Sequence, residues 1–311
     1  MIGLDILRQQ IKDYLGIQAL NFPVQYTVVG KEECDGYFRL LIHYTGSEKD
    51  NIPAYLFIPK YEGIFPTVLI HHQHNGERHL GKSEVCGLDG NPLQAFGTAL
   101  AKKGFIVLAP DSICFEDRRK NKTGIVPDEE RDFLQHYNEM CYRILKGSSL
   151  MKKVIDDAKI GINLLKGHEK VDKHRIGVLG HSYGGNTVIF QAAINEDIAF
   201  ACSSGAACTY KNKMDYGTGI EMAEVIPGFY NEYDIYDLIK CIAPRHILLV
   251  SATSDKYSMD ADFIEQQTRS AFDKLGNSGS LEHRRYDGGH ALTSERFEDI
   301  TNWVAQVVCK I

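Results

Sequence analysis

Ile176-Gly-Val-Leu-Gly-His-Ser-Tyr-Gly-Gly185 is the stretch whose reading decides the fold. Its aliphatic residues lead into Gly180-His181-Ser182-Tyr183-Gly184, which has the form G-x-S-x-G, and a helix-like segment follows over 185–194. Strand, sharp turn and helix in that order make a nucleophile elbow, with Ser182 standing exposed at the end of the strand. The glycines have a physical reason. The serine is held in a strained backbone conformation, and only residues without Cβ let strand and helix pass so closely around it. An ordinary strand-to-helix turn capped by a small polar residue has the same letters, but the hydrophobic run before it and the helix after it favour the elbow.

A serine hydroxyl is a poor nucleophile until a histidine takes its proton, and that histidine needs an acid to fix its tautomer and stabilise its charged form. After an elbow, the acid and then the histidine are expected further along the chain. A β-like run over 246–251 ends in Ala252-Thr-Ser-Asp255, and the next run, 281–286, ends in Asp287-Gly-Gly-His290. Order and placement therefore nominate Asp255 and His290. Taken alone, Asp255 reads as an Asx-turn or capping aspartate, although Asp260 is better placed to cap the helix that follows. Asp287 precedes His290 too closely to approach it from another strand.

Outward from this centre the chain alternates. Helical patterns over 149–165, 185–194, 233–240, 260–275 and 295–310 separate strand patterns over 175–179, 198–202, 246–251 and 281–286. A helix over 92–103 precedes an apolar strand over 105–109. Such alternation predicts a mostly parallel sheet with helices on both faces and reactive groups at the carboxyl ends of its strands. Before it come β-like runs over 24–29, 37–44, 52–58 and 67–71; short turns join the first three, so they are expected to be antiparallel. Residues 1–30 read as a helix-and-strand extension of one domain spanning 1–311. Residues 112–148 and 206–232 are too long for simple connections and are expected to lie over the active site.

The bulk numbers agree. A chain of 311 residues with 43% hydrophobic and 24% charged residues supplies a sizeable core, and a net charge of -6 speaks against nucleic-acid binding and against a basic membrane-seeking patch. Eight scattered cysteines without C-x-x-C spacing point to free thiols. The start interleaves charges with Ile6, Leu7, Ile11, Tyr14 and Leu15 at helical spacing, unlike a signal peptide. A cytoplasmic location is expected, and a secreted protein trimmed of its signal looks the same.

Gly180-His-Ser-Tyr-Gly184, Asp255 and His290, with Ile52-Pro-Ala-Tyr-Leu-Phe-Ile-Pro59, Phe65-Pro-Thr-Val-Leu-Ile-His-His72 and Leu108-Ala-Pro-Asp111, together resemble the α/β-hydrolase superfamily. The likeness is to its dienelactone hydrolase-like and acetyl xylan esterase-like branch, and it covers about residues 37–310. Dienelactone hydrolases carry cysteine as nucleophile, whereas this chain has Ser182, which favours cleavage of a carboxylic ester. The resemblance implies an α/β-hydrolase fold, no cofactor and a small-molecule ester substrate. It also implies two oxyanion donors: the N–H of Tyr183, and one from the loop His71-His-Gln-His-Asn-Gly76, near His74 or at Gln73.

The histidines of that loop, with His79, can also be read as a metal site. Adjacent residues leaving a strand point to opposite faces, however, and no carboxylate has the required spacing, so no metal is expected. Tyr210, Tyr230 and Tyr257 fall in loops expected around Ser182, either as anchors of a packed lid or as a platform for a sugar or aromatic acyl group. Asp111 reads as a loop anchor, and Glu116, Arg118 and Arg119 as a salt-bridged loop or as contacts to a polar substrate. Two other readings compete with the esterase. One is a small peptidase of prolyl oligopeptidase type, and the other is a catalytically silent hydrolase fold used for binding.

Overall fold

The computed structural model describes residues 2–17, 19–20 and 22–311. The strands are β1 (Tyr26–Glu33), β2 (Tyr37–Thr45), β3 (Asn51–Pro59), β4 (Phe65–His71), β5 (Ile106–Pro110), β6 (Val171–His181), β7 (Phe200–Ser204), β8 (His246–Ala252) and β9 (Leu281–Tyr286). They form one sheet in the order β1-β2-β3-β5-β4-β6-β7-β8-β9. The pairs from β1 to β5 are antiparallel, and those from β5 through β4 to β9 are parallel. The mostly parallel sheet with an antiparallel N-terminal part is thus present. The central strands are continuous apolar runs because both their faces are covered. Edge strand β1 is largely exposed and carries Lys31, Glu32 and Glu33, which discourage pairing with another chain.

The helices are α1 (Ile2–Leu15), α2 (Lys82–Val85), α3 (Phe96–Lys102), α4 (Glu129–Leu145), α5 (Leu150–Gly167), α6 (Tyr183–Ile194), α7 (Tyr210–Asp215), α8 (Phe229–Glu232), α9 (Ile235–Lys240), α10 (Ala261–Lys274) and α11 (Ser294–Val307). Residues of α1, α5, α6, α9 and α10 build the core on one face of the sheet, and α3 with α11 builds the core on the other around Phe96 and Trp303. The helix expected over 92–103 is broken. Asn91 accepts from the N–H of Leu93 to cap a short 3-10 turn, and α3 starts only after Ala95. All eight cysteines are free thiols. Among the described residues no helix is long and apolar enough to cross a membrane.

The loops after β4 and β5 are clamped by a buried ammonium. Lys82 Nζ donates to Asp111 Oδ2 at 2.9 Å, to Asp117 Oδ2 at 2.6 Å and to Glu116. The N–H groups of Lys82 and Ser83 add bonds to Asp111 and Glu116. The lysine stands where three carboxylates would otherwise gather a cation. Arg118, the next cation along, donates to Asp157 at 2.7 Å, to Asp50 at 2.5 Å and to the Asp111 carbonyl. Burial alone disfavours the charged lysine, yet Asp111 and Glu116 reverse the balance and push its pKa up. These residues form a salt-bridged loop, the plainer of the two expected readings.

Removing one partner of such a cluster leaves uncompensated buried charge. Lys82→Met is therefore expected to lower stability by about 3–5 kcal/mol, measured by denaturant unfolding at pH 7. An unchanged midpoint would show that the clamp contributes nothing.

Candidate active site

Ser182 lies between β6 and α6 at φ 56° and ψ −121°, a region that residues with a Cβ rarely occupy. Its N–H donates to the Ser204 carbonyl at 2.8 Å, which fixes the turn to β7. The flanking glycines are required by contact. A Cβ on Gly180 would come within 2.3 Å of the Gly184 backbone, and one on Gly184 within 2.1 Å of the His71 carbonyl oxygen. The turn, and the approach of the β4 loop to it, exist because these positions have no side chain.

The structure brings Ser182, His290 and Asp255 into one hydrogen-bonded chain. Ser182 Oγ is 2.8 Å from His290 Nε2, and His290 Nδ1 is 3.0 Å from Asp255 Oδ1. Asp255 is buried and also accepts from Ser258 Oγ at 2.7 Å and from the N–H of Tyr257 at 3.0 Å. Burial by itself would raise its pKa, but the bonds from His290 and Ser258 outweigh burial and hold the carboxyl below its ordinary value. Asp255 therefore stays ionised at neutral pH, which favours a proton on Nδ1 of His290 and leaves Nε2 to face the serine. The Tyr257 ring meets His290 edge-on at 4.8 Å. On the other side His181, the second residue of the elbow pentapeptide, lies 4.9 Å from the His290 ring. Burial, and next the proximity of His290, lowers the His181 pKa to about 3, so it adds no positive charge there.

Tyr183 opens α6, and its N–H belongs to the first turn, where helical donors have no intrahelical partner. In the β4 loop, the N–H groups of Gln73 and His74 have no protein acceptor among the described residues. Both side chains are tied elsewhere. Gln73 donates to Glu84 at 3.0 Å. His74 Nδ1 accepts from the N–H of Gly76 at 2.7 Å, so Nε2 carries the proton and donates to Glu221 at 2.7 Å. His71 bonds Gln191 and His72 bonds the Ser112 N–H, which sends the adjacent rings to different partners, as alternation along a strand requires.

Two of the tyrosines lie on α7 and α8 of the second excursion. Tyr210 is buried against Phe229 and donates its hydroxyl to the Glu224 carbonyl at 2.8 Å, so it anchors the second excursion and offers no platform. Tyr230 lies on the surface beside it. Sequence reasoning missed Glu84, Glu221 and His136, because each acts through a tertiary contact that no local pattern announces.

The glycine contact and the buried Glu84 give two tests. Gly184→Ala must push strand and helix apart and should cost about 3 kcal/mol or more by denaturant unfolding, beyond the usual overpacking range for a single methyl. Burial raises the Glu84 carboxyl from 4.5 to about 7. The folded state therefore holds the proton more tightly than the unfolded one, and stability is lost as pH climbs from about 4.5 to about 7. Glu84→Gln should gain about 3 kcal/mol over the parent at pH 8 and nothing at pH 4; a gain independent of pH would reject this origin.

Comparison with known proteins accords with this geometry. Residues 52–206 match the dienelactone hydrolase family. The Bacillus subtilis (strain 168) protein YtaP is 26% identical over 301 residues, 92% of this chain and 94% of that one. A glucuronoyl esterase from Solibacter usitatus superposes over 96% of this chain and 92% of its own, with TM-score 0.66 and 14% identity. An acetyl xylan esterase from Paenibacillus sp. R4 does so over 97% and 93%, with TM-score 0.64 and 18% identity. Sheet order and family match agree: the chain has an α/β-hydrolase fold and carries, over residues 52–206, a dienelactone hydrolase family domain.

Proposed function

We propose that this protein is a serine hydrolase that cleaves a carboxylic ester through an acyl-enzyme. The carrying observation is the chain from Ser182 Oγ through His290 to Asp255, at 2.8 and 3.0 Å, starting from a serine in a strained elbow. Support for an ester as the bond cleaved comes from the family match and from solved relatives that are an acetyl xylan esterase and a glucuronoyl esterase. A short acyl group or a carbohydrate ester fits that company.

In this reading Ser182 Oγ attacks the ester carbonyl while His290 Nε2 takes its proton. Asp255 holds the imidazole by Nδ1 and stabilises its charged form. The carbonyl oxygen becomes an oxyanion and receives the N–H of Tyr183 and a second N–H from Gln73 or His74. His290 then returns the proton to the departing alkoxide, which leaves as an alcohol. Water, deprotonated by the same histidine, attacks the acyl-enzyme, and the acid is released as Ser182 regains its proton.

Hydrolysis of 4-nitrophenyl acetate tests the assignment. Ser182→Ala should lose about 10⁵-fold or more in kcat, and Asp255→Asn about 10⁴-fold through the wrong histidine tautomer. Turnover that survives Ser182→Ala would overturn the reading. Labelling of the parent by a fluorophosphonate probe, absent in Ser182→Ala, separates an enzyme from a silent binding protein. Faster cleavage of a dipeptide amide than of its matched ester would move the assignment to a peptidase.

A further inference from the structure

Arg78 is a buried cation whose charge the fold leaves unanswered. The residue is only 6% exposed. Its Nε donates to Nδ1 of His136 on α4 at 2.9 Å. Burial, and next the Arg78 charge itself, holds the His136 pKa well below the ordinary value, so this partner is neutral. The two terminal nitrogens of Arg78 have no protein acceptor among the described residues, and neither is sealed from solvent. Every other buried arginine or lysine side chain described donates to a carboxylate or a carbonyl. A largely buried charge whose terminal nitrogens meet no carboxylate or carbonyl is costly, so the fold tolerates at Arg78 what it avoids elsewhere.

The surroundings say what the free fork faces. Arg78 lies four residues beyond His74, on the loop that approaches the elbow. Burial of the guanidinium lowers its pKa, and the acids that act against this are Glu221 first and Asp132 less. Glu221 spends its contact on His74 Nε2 at 2.7 Å and makes no ion pair with Arg78. The Phe133 ring lies 5.3 Å from the guanidinium carbon and runs parallel to Tyr137, with ring centres 6.2 Å apart. Both rings are about half exposed. A guanidinium with both terminal NH2 groups open, beside an aromatic ring, matches the planar fork of a carboxylate.

We propose that Arg78 is a specificity-determining residue whose terminal N–H groups receive a free carboxylate carried by the ester substrate, with Phe133 and Tyr137 as the apolar face beside it. This rests on the ester hydrolase reading. The preferred substrate is then a half-ester, or an ester of an acidic carbohydrate, that brings its own negative charge.

The test compares mono-4-nitrophenyl succinate with 4-nitrophenyl acetate in the parent, Arg78→Gln and Arg78→Lys. In the glutamine variant, the ratio of kcat/KM for the succinate ester to that for the acetate should fall tenfold or more, mainly through KM. Lysine should restore part of the ratio, because it returns the charge without the fork. Equal losses on both esters would reduce Arg78 to a prop for His136 and overturn the proposal, as would an unchanged ratio. Calorimetric titration of Ser182→Ala with succinate, with and without Arg78→Gln, gives a readout independent of turnover. Tenfold weaker binding in the double variant is expected. Binding of inorganic phosphate but not of succinate would overturn the carboxylate assignment. Should the parent hydrolyse neither ester, the esterase reading fails while the titration still decides the role of Arg78.

Discussion

Gly184 passes so close to the carbonyl of His71 that a single added carbon would lie 2.1 Å from its oxygen and 2.9 Å from that of His72. Two requirements of the proposed chemistry meet in that contact. The elbow must turn sharply enough to present Ser182, and the loop after β4 must come near enough to aim N–H groups at the same point. Both are met by absent side chains, because attraction alone cannot bring two backbones this close. The positive φ of Ser182 follows from the same geometry. It is held by the packed helix behind it and by the bond from its N–H to Ser204.

Charge is then placed by two rules. Where a loop has to be fixed, the fold buries an ion with full compensation, as Lys82 does among three carboxylates and Lys153 does between Asp50 and Asp157. Where the reaction is proposed to run, neighbouring titratable groups are silenced. Burial lowers the pKa of His71 to about 4 and those of His72 and His181 to about 3. None of these rings adds positive charge beside His290, and only Asp255 faces it with an opposite one. Arg78 obeys neither rule, which is why it stands out.

The sheet and the candidate site were legible to different degrees, for a physical reason. Apolar runs such as 246–251 and 176–179 declare buried parallel strands, and glycines at fixed offsets declare a turn that only glycine allows, so Ser182, Asp255 and His290 could be nominated from spacing alone. Long-range contacts leave no such trace. Nothing near Glu84 says that Gln73 will lean on it, and nothing near Tyr210 says that its hydroxyl will turn inward to the Glu224 carbonyl. Helix α4, inside the first excursion, was invisible for a related reason. Its apolar residues Phe133, Leu134, Tyr137 and Leu145 do recur at helical spacing, but they face outward, and the residues it buries are the polar Asp132, His136 and Glu139.

A second chain of the same three groups shows what makes the first one chemically useful. Ser251 Oγ lies 2.7 Å from His283 Nε2, and His283 Nδ1 lies 2.9 Å from Glu265 Oε2, distances as good as those at Ser182. Yet Ser251 sits inside β8, 1% exposed, in ordinary extended backbone, with no elbow beneath it. No substrate carbonyl can reach its oxygen, and the regular strand leaves no helix N-terminus to meet a developing negative charge. Hydrogen-bonded order among serine, histidine and acid is therefore a common product of packing, here a tie between β8, β9 and α10. What distinguishes Ser182 is the strained turn at the end of its strand, with the first turn of a helix directly after it.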